Sequence, residues 1–199
     1  LAVCIYKFQF GKFGKKSRID APLKLEGKKT IYIGDNVHIH YRTWLGCMPL
    51  TGCKTPGLFI GDGSVIGNFN HIYATSSIRI GKFVLTADKV YISDNLHSYE
   101  DPETPILKQP IRQVAEVTIG DGSWIGENVC IIGASIGKHS IIGANSVVTR
   151  DIPDYCIAVG VPARILRDRR AEPSSRDQAG YVLDRVDSTL ASLQQIAAD

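Results

Sequence analysis

An aliphatic residue returns every six positions along much of this chain. Ile60, Ile66, Ile72, Ile78, Val84 and Val90 stand six apart without a break, and Ile119, Ile125 and Ile131 repeat the spacing. The register then slips by one residue and resumes at Ile136, Ile142 and Val148, while Ile33 and Ile39 form an earlier pair. An α-helix returns its stripe every 3.6 residues, so a period of six excludes one. Short strands joined by sharp corners satisfy it, with one aliphatic side chain per unit turned inward. The corners have the right chemistry. Gly34, Gly61, Gly67, Gly120, Gly126, Gly137 and Gly143 each follow a hexad aliphatic, and Asp35-Asn36, Asp62-Gly63 and Asp121-Gly122 come next. Gly and Asn tolerate the backbone of a tight turn. Such units bury no core alone, so they must stack, which predicts a parallel β-helix.

Two stretches leave the repeat. Residues 41–57 carry Pro49, Gly52, Pro56 and Gly57 without a hexad, and residues 94–116 carry Pro102, Pro105 and Pro110. Both are expected to be loops leaving the coil, and long loops in compact domains are commonly functional. Beyond Arg164 the composition changes. A basic run, Arg164, Arg167, Arg169 and Arg170, leads into Pro173-Ser174-Ser175. Val182, Val186, Leu190, Leu193 and Ile196 then follow helical spacing, which predicts a C-terminal amphipathic helix. The expected organisation is a cap segment over 1–30, a coil over 31–168 with loops at 41–57 and 94–116, and a linker and helix over 169–199.

Composition narrows the partners. Lys and Arg number 23 against 20 Asp and Glu, a net +3, which is too small to argue for nucleic acid or a membrane surface. No apolar run is long enough to span a bilayer. Ile (24) outnumbers Leu (13), which favours strands. Five cysteines, Cys4, Cys47, Cys53, Cys130 and Cys156, are odd in number and contain no Cys-x-x-Cys pair. That argues against a zinc ribbon, a redox motif or a disulfide framework and for reduced thiols, although Cys47 and Cys53 flank a turn-rich stretch where they could meet. Lys7, Lys12, Lys15 and Lys16 interrupt the apolar N-terminal stretch, so a secretory signal is not expected and a cytoplasmic location is.

The segment from Val117 to Arg167 carries three connected motifs: Val117-Thr118-Ile119-Gly120-Asp121-Gly122-Ser123-Trp124-Ile125-Gly126, Ser146-Val147-Val148-Thr149-Arg150-Asp151-Ile152-Pro153, and Ala158-Val159-Gly160-Val161-Pro162-Ala163-Arg164. It resembles the hexapeptide-repeat acyltransferases, and among them the sugar O-acetyltransferases that include the galactoside and maltose acetyltransferases. The resemblance covers about residues 30–168. It implies an all-β fold, a left-handed parallel β-helix, and a homotrimer with active sites between subunits. Acetyl-CoA is the implied acyl donor, a hydroxyl of a sugar or of a polysaccharide or glycolipid precursor the implied acceptor, and no metal is implied.

Acyl transfer to a hydroxyl needs a base, a means of holding the developing oxyanion, and a surface that aligns the two substrates. Among the histidines His38, His40, His71, His97 and His139, His97 is the best base. Imidazole titrates near neutrality, and His97 stands at the root of the second excursion among Asp94, Glu100 and Asp101. The family's catalytic histidine occupies this place, and Asp94 or Glu100 is expected to orient it. By resemblance, a backbone N–H near Gly126 holds the oxyanion, Ala144, Thr149, Arg150, Arg164 and Arg167 line the coenzyme groove, and Asn70 contacts the acceptor. Asn70 equally suits a turn-terminating role. His71, beside it, is expected to face the cleft, His139 to sit in a turn, and Trp124 to be structural.

His38 and His40 flank the inward Ile39 and point outward, as metal ligands do, but no third partner follows from spacing. At Val129-Cys130-Ile131-Ile132-Gly133-Ala134-Ser135-Ile136 the sequence is one residue shorter than the family pattern, so the coil must tighten beside the coenzyme groove. Two alternatives stand beside O-acetylation: N-acetylation of a nucleotide-linked amino sugar, and a non-catalytic or metal-binding β-helix of the carbonic-anhydrase kind.

Overall fold

A computed structural model describes residues 8–171. The chain divides into Leu1–Asp168 and Arg169–Asp199, and the architecture below is that of the first unit. The helix expected over 182–196 lies outside the described residues, as does Cys4.

The strands wind into a coil with three flat faces. The first face stacks Lys12–Phe13, Ile31–Ile33, Gly57–Ile60, Ser77–Ile80 and Val117–Ile119. The second runs from Arg18–Ile19 through His38–Ile39, Val65–Ile66, Leu85–Thr86, Trp124–Ile125 and Ile141–Ile142 to Cys156–Val159, where Arg164–Asp168 adds an antiparallel edge. The third stacks Lys24–Glu26, Trp44–Cys47, His71–Ala74, Tyr91–Ser93, Cys130–Ile132 and Val147–Val148. Pairing between coils is parallel, and each hexad aliphatic turns inward. Ile66, Ile72, Ile78, Val84, Ile119, Ile125, Ile131, Ile142 and Val148 are fully buried, and Ile60, Val90 and Ile136 nearly so. Truncating any of the isoleucines to alanine should cost about 2–5 kcal/mol. Phe10 and Phe13, 5.5 Å apart, are buried at the N-terminal end of this core.

Polar ladders hold the corners between the first and second faces. The Asp35, Asp62, Asp121 and Asp154 carboxylates each accept the backbone N–H of a residue on the preceding coil. Ser17, Ser64, Ser123 and Ser140 each donate their hydroxyl to a carbonyl one coil further on. The Gly-Asp-x-Ser corner therefore satisfies backbone groups that the turn would otherwise bury unpaired. Gly63 has φ +70°, and a Cβ there would lie 2.5 Å from the Phe83 ring stacked over it.

The structure departs from the sequence reading in three places. The coil begins at Lys12, inside the segment expected as a cap, because Lys12–Phe13, Arg18–Ile19 and Lys24–Glu26 already pair in register without Ile-Gly hexads. Within 41–57, Trp44–Cys47 is a strand of the third face, so the excursion narrows to 48–56. The second excursion is an arm, with Asn95–His97 paired antiparallel to Ile111–Gln113. The shortened coil does tighten. Gly133 turns with φ +54°, where a Cβ would lie 2.2 Å from Val114, and the first face continues only as the single bridges Ile119–Ile136 and Ile136–Ile152. None of Cys47, Cys53, Cys130 and Cys156 is in a disulfide.

Candidate active site

Because the third-face strands are in register, their outward side chains form two columns. One runs Lys24, Trp44, His71, Tyr91, Cys130, Val147, and the other Glu26, Gly46, Tyr73, Ser93, Ile132. The antiparallel arm leaves this face immediately after Ser93. A pocket of about 380 Å³ lies between them, with Trp44, His71, Tyr73 and Tyr91 as floor, Lys24 and Glu26 at one side, and Asn95, Leu96, His97 and Ile111 of the arm opposite.

The floor is ordered. Trp44 and His71 stack at 4.2 Å with 11° between ring planes, and Tyr73 and Tyr91 meet His71 edge-on. Gly46 makes room for Tyr73, since a Cβ there would lie 2.4 Å from its ring. Trp44 Nε1 donates to Glu26 Oε2 at 2.9 Å, and Lys24 Nζ pairs with Glu26 Oε1 at 2.9 Å. Burial pushes the His71 imidazole below its ordinary pKa, and its Nε2 is buried without a hydrogen-bond partner. A neutral, aromatic floor bordered by an ion pair suits a ring that presents C–H bonds to one side and polar groups at its edge.

His97 is exposed, at the end of the first arm strand, and lines this pocket. Asp94 does not meet it. Asp94 is fully buried, and its carboxylate accepts the backbone N–H groups of Thr75, Ser76 and Ser77, the Thr75 hydroxyl and the Asn95 amide. Gln113 joins this cluster, donating to the Asp94 carbonyl and accepting from Thr51, and its Oε1 shares the single Thr75 hydroxyl proton with the Asp94 carboxylate. Asp94 thus anchors the arm that carries His97. Glu100 is turned to its own neighbours: Oε2 accepts the Tyr99 N–H at 2.9 Å and Oε1 lies 3.6 Å from Arg112. Backbone hydrogen bonds from Glu100 and Tyr99 hold its carboxyl below the usual range.

The other expected residues separate by burial. Asn70 is inside the coil, donating to Thr86 Oγ1 and accepting the Val90 N–H, so it terminates a corner and does not reach an acceptor. The Gly126 N–H donates to the Ile142 carbonyl, so it is not available to an oxyanion; the glycine is needed because a Cβ would strike Ala144 N at 2.6 Å. Ala144, Thr149, Arg150 and Arg164 are exposed on the last coils, where Cys130 and Val147 continue the outward column from Tyr91. Arg167 is half-buried opposite Ile157, with Nε enclosed and unpartnered. His139 occupies its turn and stacks on Tyr155. Trp124 is outward and 49% exposed, in a second-face column with Val65, Leu85, Ile141 and Ile157, so it is no core residue.

Sequence reasoning missed Trp44, Tyr73, Tyr91, Lys24 and Glu26. The signal available was the alternation His71-Ile72-Tyr73 about a buried position; their alignment across coils was not available. It also missed Asp20, which stands beside His38 and His40. No helix among the described residues is long and apolar enough to cross a membrane.

Comparison with known proteins agrees with this geometry. Residues 116–150 match the family described as the hexapeptide repeat of succinyl-transferase. The chain is 34% identical over 129 residues to a putative lipopolysaccharide biosynthesis O-acetyl transferase of Escherichia coli, covering 61% of this chain and 66% of the relative. It is 37% identical over 126 residues to the galactoside O-acetyltransferase of the same organism, covering 62% and 59%. The chain spans about two thirds or less of the length of these curated relatives. An N-acyltransferase from Bacillus cereus, solved with dTDP and 3-hydroxybutyryl-CoA, shares the fold at TM-score 0.68 and 19% identity, covering 98% and 97%. The coil is a left-handed parallel β-helix, as the motifs implied.

Proposed function

Because the chain belongs to the hexapeptide-repeat acyltransferase family, we propose that it transfers an acetyl group from acetyl-CoA to a hydroxyl of a sugar or of a polysaccharide or glycolipid precursor. The pocket between the arm and the third face carries this reading: it puts the exposed His97 opposite an aromatic floor. His97 takes the hydroxyl proton as the oxygen attacks the thioester carbonyl. The new C–O bond forms, the C–S bond breaks, and the imidazolium returns its proton to the departing thiolate. Asp94 acts by anchoring the arm. Arg150, Arg164, Ala144 and Thr149 line the coenzyme groove, Arg supplying planar donors for phosphate.

The choice of hydroxyl over amine rests on the sequence relatives, which are named O-acetyltransferases at 34% and 37% identity. The B. cereus N-acyltransferase, at 19%, supports the fold alone. The protein acts as a homotrimer with sites between subunits; the outward column Val65, Leu85, Trp124, Ile141, Ile157 is the apolar face offered for packing. A cytoplasmic location accords with four cysteines outside any disulfide among the described residues.

The test is release of CoA thiol from acetyl-CoA with a panel of hydroxyl-only sugars and nucleotide-linked amino sugars. Turnover on a hydroxyl-only acceptor is expected. Turnover confined to amino sugars would overturn O-acetylation. Acetyl-CoA binding by calorimetry that is unchanged in Arg164→Ala would overturn the groove.

A further inference from the structure

The second face opens with polar residues. Arg18 pairs with His38 and Ile19 with Ile39 across adjacent coils, which brings Asp20 beside His40. Ile39 is fully buried, so His38 and His40 both turn outward, with ring centroids 3.8 Å apart. His38 Nε2 lies 2.6 Å from Asp20 Oδ2, and one ligand atom from each of Asp20, His38 and His40 lies within 4.8 Å of the others.

We propose that Asp20, His38 and His40 form a binding site for a divalent zinc-like ion, with the Arg18 side chain as the cation it displaces. Two imidazoles and a carboxylate, with a remaining position for water, are a ligand set that zinc and cobalt accept. The His40 ring makes no hydrogen bond among the described residues. Arg18 is 3.0 Å from His38 Nδ1. A guanidinium only donates, so Nδ1 accepts and the ring proton sits on Nε2, facing Asp20. Metal binding at Nε2 requires the proton between it and Asp20 to leave and Arg18 to turn aside. Its side chain is 59% exposed in the single chain. The site lies on the second face, away from the third-face floor beneath His97, and does not depend on the proposed acyl transfer.

The test titrates the full chain with Zn²⁺ by calorimetry and with Co²⁺ by visible absorption. Wild type should bind one ion per chain with ligand-field bands. His40→Ala and Asp20→Asn should weaken binding at least about tenfold, since even supporting residues around a metal cost about that much. Arg18→Ala should tighten it. Melting of each variant without metal, matching wild type, shows that the fold is kept. No binding up to about millimolar, the weak end of specific affinities, would overturn the site. So would binding that survives both ligand substitutions, or that does not tighten in Arg18→Ala.

Discussion

The carboxylate of Asp94 is bound to both the backbone N–H and the hydroxyl of Thr75, at 2.8 Å and 3.0 Å to Oδ1. Thr75 follows the His71–Ala74 strand, and Asp94 precedes the arm that carries His97. The pair therefore ties the arm that carries His97 to the coil beneath it. Replacing Asp94 with alanine strands several buried donors, each costing about 1–3 kcal/mol. Asp94→Ala should lose at least about 3 kcal/mol in urea unfolding, and a loss under about 1 kcal/mol would contradict the anchoring role.

His97 is exposed and supports no core packing. His97→Ala should keep wild-type melting and acetyl-CoA affinity while turnover falls at least about 100-fold, the usual scale for a general base. Steady-state kinetics with saturating acetyl-CoA checks this, and turnover near wild type would remove His97 from the mechanism.

Trp44 provides a face of the pocket floor. Trp44→Ala should lower kcat/KM for the acceptor by roughly threefold to tenfold, matching about 0.5–1.5 kcal/mol of ring contact. The KM for acetyl-CoA should not move. An equal change for both substrates would place Trp44 outside acceptor binding.

His71 predicts a pH dependence. Its pKa is lowered by burial, so below the unfolded value of about 6.5 the unfolded chain takes up a proton that the folded chain does not. Stability is full above that pH and is lost as pH falls through it toward the lower folded value. Urea midpoints should drop from pH 7.5 to pH 5.5, and His71→Phe should reduce the drop. His40, lowered in the same direction, leaves a residual dependence. The lowered carboxyls of Asp20, Asp62, Glu100 and Asp101 act only below about pH 4.5 and do not interfere.

The coil was legible in the sequence because each unit repeats one local rule: an inward aliphatic and a corner that satisfies its own backbone. Ile60, Ile66 and Ile72 announce it by spacing alone, and the slip before Ile136 announces the tightened coil at Gly133. The position of His97 at the root of an excursion was equally local. What the sequence could not show is what lies across coils. Trp44 and His71 are 27 residues apart and meet only because Trp44 pairs in register with His71. Asp20 joins His38 and His40 by the same means. Asp94 and Asn70 look like site residues by position, and burial alone turns one into an anchor and the other into a corner tie. Local periodicity fixes which way each side chain points; the length of each excursion fixes which coil it meets, and that is decided only when the coils stack.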